Sequence, residues 1–334
     1  MRALYLTDQV PLDSLALSDV PTPTPKPGEV LIRLKAAALN HRDLWIALAP
    51  EGDKGILGSD GAGVVEAIGD GVTQFAPGAE VIVNPSLGWG NREDAYDERT
   101  WSILGIPVDG TFAEYMTIGA EVVHPKPPHM TFEEAAALPL AGLTAYRALF
   151  PRGNLQAGDH VLIHAISSGT SIFALQFAKA AGAQVMGTST HDWKLERVVP
   201  LGLDAGVNSK SVDWVQRAKE WTGGRGVDLV IDSLGGEYLA RSLEALRLGG
   251  RAVNFGRTVS REVKLNVSLL FWNELSLLGT TMGSPADFAA MLEFVNLHKI
   301  KPVIDQVISF ENIREAFQRM DAAEQIGKIV VRME

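Results

Sequence analysis

The stretch HAISSGTSIFALQFAKAAGA, His164 to Ala183, decides the fold. A strand-like run from His160 to Ile166 leads into it. Behind the loop, Phe173 and Phe177 stand at i, i+4, and Ile172 and Leu175 widen the same apolar face. Gly182 supplies the C-terminal turn. Strand, small-residue loop and helix stand in this order where a dinucleotide fold would put G-x-G-x-x-G. Here the loop reads Ala165-Ile166-Ser167-Ser168-Gly169-Thr170-Ser171. Free N–H groups and the helix dipole make the helix start an anion site whatever the side chains. The serine hydroxyls add donors for a phosphate; alternatively, the small residues serve only close packing of helix on sheet.

Downstream the pattern alternates. Strand VLIHAI and helix SIFALQFAKAAG are followed by strand QVMGTS, a helix near DWKLERVVPLG, strand GVDLVIDS, helix EYLARSLEALR and strands RAVNFG and LSLLGTTM. Such alternation means crossover units and a parallel sheet buried on both faces. Upstream, the first third reads as short strands with Gly and Pro corners, a barrel-like antiparallel domain. After VHPKPPHM, Thr131 and Glu134 form a capping box that opens a helix into AAALPLAGLTAYRAL. Near the end, helices DFAAMLEFVNLHK and ENIREAFQRMD precede a final strand, KIVVRM, which can return to complete the barrel.

The 334 residues are enough for two domains, and 46 % hydrophobic with 21 % charged residues is globular composition. A formal charge of −10 with no Lys/Arg block points away from nucleic acid. With no cysteine, disulfides and thiolate metal sites are excluded. No apolar run approaches the roughly 20 residues of a membrane helix, and MRALYLTDQV, with Asp8, is not a secretion signal. The expectation is a cytoplasmic protein with a small-molecule substrate.

Other loops bear on the ligand. In NAD enzymes an acidic residue near the end of the second strand binds the ribose 2′-OH. Here that strand ends in Gly187-Thr188-Ser189-Thr190-His191, with Lys194 beyond and no carboxylate before Asp192. Ser189, Thr190 and Lys194 suit a 2′-phosphate, hence NADPH rather than NADH; the alternative is a solvated loop with a surface lysine. Asp232 to Gly236 and Phe255-Gly256-Arg257 lie at further strand ends, where such sheets bind ligands. Asp232 either contacts the cofactor or caps the next helix.

The blocks KPGEVLIRLKAAALNHRDL, LGSDGAGVVEAIGDGV, DGTFAEY, EEAAALPLAGLTAYRAL, ALQFAKAAGA, GGRGVDLVIDSLGG and IGKIVVRM together resemble the medium-chain dehydrogenase/reductase superfamily, in its zinc-free quinone oxidoreductase-like, alcohol-dehydrogenase-like branch. The resemblance implies an α/β fold: a Rossmann doubly wound parallel sheet over 126–285, and a GroES-like β-barrel catalytic domain from 1–125 together with 286–334. It implies an active site in the cleft between them and a homodimer or homotetramer through the Rossmann sheet edge. Where the zinc alcohol dehydrogenases have cysteine and histidine ligands, this chain has Asn40 and Ser59, with the acidic residue kept as Asp60. The segment Pro85 to Asp109 takes the place of a structural-zinc lobe without its ligands; its Trp89 and Trp101 serve lobe packing or a substrate mouth.

The expected activity is therefore zinc-independent hydride transfer from NADPH to an activated C=C bond or quinone. Such acceptors spread negative charge onto an oxygen, which needs hydrogen-bond donors and a proton source. By resemblance Asn40 lies against the nicotinamide and the substrate, and Thr144 faces the nicotinamide. Asp43 buttresses the site, pairing with Arg42, and His41 or solvent gives the proton. The catalytic candidates are Asn40, His41, Arg42, Asp43 and Thr144. The cofactor-binding candidates are Asn40, Thr144, Ser167, Ser168, Gly169, Thr170, Ser171, Ser189, Thr190, Lys194, Asp232, Phe255, Gly256, Arg257 and Lys328; no metal is expected. Two rivals remain: a non-catalytic NADPH-binding protein, and an alcohol dehydrogenase acting on an alcohol/carbonyl pair.

Overall fold

A computed structural model describes residues 1–6, 12–48 and 54–333; Asp8 lies outside them. The chain forms two compact units, Met1–Ala141 with Ser284–Glu334, and Gly142–Gly283.

The first unit is built on β1 (Glu29–Ala38), whose inward positions Val30, Ile32 and Leu34 are fully buried. After it come α1 (His41–Ala47), β2 (Asp60–Ile68), β3 (Glu80–Val83), β4 (Tyr115–Gly119) and β5 (Val123–Pro125). β2 runs antiparallel to β1 from Val30 opposite Ile68 to Ala38 opposite Asp60, and β4 pairs with residues 29–33. The segment between β3 and β4 closes on an aromatic cluster. Tyr96 stacks on Trp101 at 4.2 Å and Trp89 meets both edge-on, so these tryptophans pack the lobe.

The Thr131 capping box forms as expected. Glu134 N–H donates to Thr131 Oγ1 at 3.2 Å, and Thr131 N–H donates to Glu134 Oε2 at 2.9 Å. The helix it opens is α2 (Phe132–Ala136), and a second, α3 (Pro139–Arg147), begins at Pro139. Proline has no N–H and cannot continue a preceding helix. α2 packs on β1 and β2, so the first unit runs to Ala141 rather than to the expected 125.

The second unit contains β6 (His160–Ile163), α4 (Gly169–Ala180), β7 (Gln184–Ser189), α5 (Asp192–Val198), β8 (Ala205–Asn208), α6 (Trp214–Trp221), β9 (Val227–Asp232), α7 (Gly236–Ala245), β10 (Leu246–Asn254), α8 (Val267–Trp272) and β11 (Ser276–Gly279). The sheet is parallel throughout, in the order β8-β7-β6-β9-β10-β11. β8 and α6, too short or too polar to stand out in the sequence, complete the alternation. The chain steps outward from β6 first through β7 and then through β9, so the strand order reverses there. The carboxyl ends of β6 and β9 thus flank the crevice in which such sheets bind ligands.

The chain then returns to the first unit through α9 (Pro285–His298), β12 (Ile304–Ser309), α10 (Ile313–Asp321) and β13 (Lys328–Arg332). β13 pairs antiparallel with β1, Val330 opposite Ala38, and parallel with β12. The final strand therefore completes the N-terminal sheet, as its sequence suggested. The return begins at Ser284, two residues before the expected 286.

Candidate functional site

In the first unit the strand register sets one cluster. Asn40 follows β1 as the N-cap of α1, Ser59 and Asp60 sit at the start of β2 beside the end of β1, and Lys328 opens β13. Lys328 Nζ, almost fully buried, donates to Leu39 O at 2.7 Å, Asn40 Oδ1 at 2.6 Å and Asp60 Oδ2 at 3.0 Å. Asn40 Nδ2 donates to Ser59 Oγ at 3.0 Å and Asp60 Oδ2 at 2.9 Å. Leu140 N–H donates to Asp60 Oδ1 at 2.8 Å, and Thr111 Oγ1 to Asp60 O at 2.8 Å.

An ammonium has three N–H groups and an amide nitrogen two; all five are occupied here. Two expectations change accordingly. Lys328 has no donor left for a cofactor, and Asn40 has none left for a substrate oxygen. Its amide is held in one orientation, because a flip would turn NH2 toward the ammonium.

The neighbours on α1 divide differently from the sequence reading. Arg42 does not bond Asp43. Its guanidinium donates to the carbonyls of Leu104, Gly105 and Ile106 at 2.8, 2.6 and 3.2 Å, clamping that loop. Asp43 is fully buried; Oδ2 accepts Asn40 N–H at 2.8 Å, and Oδ1 has no partner. Burial pushes the Asp43 carboxyl up to about 6, against the opposing charge of Arg42. Burial, with the charge of Lys328 added, lowers the pKa of His41 from its ordinary value. Its imidazole is uncharged at neutral pH and is no imidazolium acid there.

Thr144, on α3, belongs to the second unit and is buried. The remaining cofactor candidates lie at the carboxyl ends of β6, β7, β9 and β10. The loop after β6 crosses onto β7, with Ile166 N–H donating to Thr188 O at 2.9 Å. Gly187 permits this crossing, since a Cβ there would stand 2.5 Å from Ile166. Ala165 takes a φ of +47°, a left-handed conformation that glycine usually fills.

The serines of this loop turn inward. Ser168 Oγ, the N-cap of α4, accepts Ser171 N–H at 3.3 Å and donates to Ser171 Oγ at 2.9 Å. Ser171 Oγ donates to His164 O at 2.9 Å. These two hydroxyls stabilise the turn rather than offering donors to a phosphate. Among the described residues of this loop, the N–H groups of Ser167, Gly169 and Thr170 and the hydroxyls of Ser167 and Thr170 are left for a ligand. That is a fitting cradle for a pyrophosphate.

At the end of β7, Ser189 Oγ accepts His191 N–H at 3.2 Å and Thr190 Oγ1 lies 3.0 Å from His191 Nδ1. Lys194 is largely buried on α5, with Nζ 5.3 Å from the Trp193 ring centroid. Asp232 caps the loop that follows it. It accepts Leu234 N–H at 2.9 Å, Gly235 N–H at 3.0 Å and Asn254 Nδ2 at 2.8 Å. The loop carrying Phe255, Gly256 and Arg257 is laced to it, with Val259 N–H donating to Leu234 O at 2.8 Å. Gly256 lies so close that a Cβ would meet Ser233 O at 2.4 Å.

Residues 26–128 match the model of the alcohol dehydrogenase GroES-like domain, and residues 169–296 that of the zinc-binding dehydrogenase family. A zinc-type alcohol dehydrogenase-like protein of Schizosaccharomyces pombe is 34 % identical over 319 residues, 92 % of each chain. The chain belongs to the medium-chain dehydrogenase/reductase superfamily. Within that superfamily it is an alcohol-dehydrogenase-like oxidoreductase, a GroES-like unit joined to a Rossmann-like parallel sheet. The human quinone oxidoreductase, another relative, is 28 % identical over 313 residues, 91 % of this chain and 88 % of that one. A crystal structure of an NAD-dependent alcohol dehydrogenase superposes with a TM-score of 0.92 at 37 % identity, covering all of both chains. Among the described residues of this medium-chain dehydrogenase/reductase, no group of three His, Cys, Asp or Glu side chains could hold a metal ion, and no helix is long and apolar enough to cross a membrane.

Proposed function

We propose that the chain is an NADPH-dependent, zinc-independent reductase that transfers hydride to an activated C=C bond or a quinone. The observation that carries this reading is the ammonium of Lys328 among Asn40, Ser59 and Asp60. The donor set does not fit zinc. Asparagine and serine are poor ligands for it, and the one carboxylate already holds a cation that would repel another. Lacking a Lewis acid, the protein needs an acceptor that disperses its own charge, as enones, enals and quinones do.

The nucleotide would be held by the N–H groups of Gly169 and Thr170, by the free hydroxyls of Ser167 and Thr170, and by the 255–257 loop. Thr144, in the same unit, would bound its reactive end. Ser189, Thr190 and Lys194, with no carboxylate before Asp192, support a 2′-phosphate. When bound, the nicotinamide supplies the hydride. The chain's own part is to orient the acceptor and to stabilise its oxygen, with solvent as the proton source because His41 is uncharged. The reading extends to a cytoplasmic homodimer or homotetramer joined through an edge of the parallel sheet.

The test is NADPH and NADH oxidation against a panel of enones, enals and quinones, with a chelator control. NADPH oxidation insensitive to the chelator is expected, and Lys194→Ala should weaken NADPH far more than NADH. Chelator-sensitive alcohol oxidation would overturn the zinc-free reading. Tight NADPH binding without turnover would favour a non-catalytic binding protein.

A further inference from the structure

In the Lys328 cluster one proton has no acceptor. Ser59 Oγ accepts from Asn40 Nδ2 at 3.0 Å, and its own O–H meets no acceptor among the described residues. Ser59 is fully buried. An unmade hydrogen bond in such a place costs about 1–3 kcal/mol, and a ligand oxygen would relieve it. The direction of the chain of bonds is fixed at its far end. Lys328 can only donate, so Asn40 Oδ1 must accept; Asn40 Nδ2 must then donate to Ser59, leaving the serine proton pointing onward. Each bond polarises the next, so positive charge at Lys328 strengthens the Ser59 O–H as a donor.

The geometry points to Ser59 as the catalytic hydrogen-bond donor to the oxygen that gains charge during reduction, with Lys328 and Asn40 as the positioning residues that orient and polarise it. The inference deepens the proposed reductase reading and rests on it for the identity of the substrate oxygen. Hydride adds to the conjugated carbon, the displaced electron pair moves onto the oxygen, and the serine keeps its proton while donating the hydrogen bond. Burial keeps water from competing for that oxygen and strengthens the contact.

The experiment combines turnover with a phenolate probe. Ser59→Ala should lower kcat about 100-fold with little change in the KM for NADPH or in melting temperature. The paired variant Lys328→Met with Asp60→Asn, which removes both buried charges together, should lower kcat about 10-fold or more with the serine still present. Titration of 4-nitrophenol, whose anion is coloured, supplies a readout without turnover. The wild-type protein should bind the anion and lower the apparent pKa of the bound phenol, and Ser59→Ala should abolish that shift.

Wild-type kcat in Ser59→Ala would overturn the donor assignment and leave the reductase reading standing. If the wild type reduced no conjugated carbonyl or quinone, the reductase reading would fall, and the phenol titration would still decide Ser59. Should Ser59→Ala not fold, full kcat in the paired variant would overturn the polarising chain.

Discussion

Each unit buries a polar network beside its sheet, around Lys328 in the first and around His164 in the second, and the two are built on opposite principles. In the second unit, His164 is fully buried between Thr188 and Ser242, 3.0 and 2.9 Å away. Ser242 Oγ donates to Tyr238 O at 2.7 Å, so it accepts from His164 Nε2–H, and Nδ1 accepts from Thr188. Trp214 and Tyr238 pack edge-on against the ring. The network is neutral and closed at both ends. The cluster of the first unit is ionised through Lys328 and Asp60 and ends on a serine proton with no acceptor. A closed neutral network fixes a fold. An ionised one with a loose end can act on a ligand, at the cost of depending on both its charges.

The largest test of this contrast is to remove one charge. Lys328→Met leaves Asp60 buried and unpaired and should destabilise the first unit by about 3–5 kcal/mol, read by urea unfolding. Adding Asp60→Asn should recover most of the loss. A single-variant cost under about 1 kcal/mol would mean that the pair is not a buried ion pair at all.

Acid titration should then separate the networks by sign. Burial lowers His164 to about 4 from 6.5, against the charge of Asp232. The unfolded chain therefore takes up the proton first, and stability should be lost as pH falls from about 6.5 to about 4, by roughly 3 kcal/mol. His164→Gln should flatten this slope. Asp43 behaves in the opposite sense, raised to about 6 from 3.8 by burial. The folded chain holds that proton more tightly, so stability should fall as pH rises from about 4 to about 6, by roughly 3 kcal/mol. Asp43→Asn should remove that fall. Comparing each variant with the wild type across this window separates the two.

The smallest effect concerns the serine loop. Because Ser168 caps α4 rather than reaching outward, Ser168→Ala should cost about 1 kcal/mol in thermal stability and change NADPH affinity less than twofold. A larger affinity loss at unchanged stability would return the hydroxyl to the phosphate.

What the sequence disclosed depended on range. The helix behind Gly169, the Thr131 capping box and the return of KIVVRM to the barrel rest on local periodicity or on a terminal strand seeking a partner, and all three stand in the structure. Asp232 is readable only as two alternatives, because a carboxylate before Ser-Leu-Gly-Gly suits a cap as well as a cofactor contact. The direction of the Ser168 and Ser171 hydroxyls depends on the His164 carbonyl and the φ of Ala165, which no pattern of residue types encodes. Lys328 was hardest to place, since its partner Asp60 lies 268 residues away. Only the pairing of β13 with β1 brings them together. A lysine opening an apolar strand is the signal that could have suggested a distant buried carboxylate.

That distance also orders events during synthesis. The parallel sheet of the second unit is complete once Gly279 has left the ribosome, so it can fold while the first unit still lacks its C-terminal strands. Asn40 and Asp60 emerge early, and the cation that pairs with Asp60 appears only with the last strand. A nascent chain halted before Lys328 would therefore carry a finished parallel sheet in its second unit and a first unit that is both open at one edge and short of its cation.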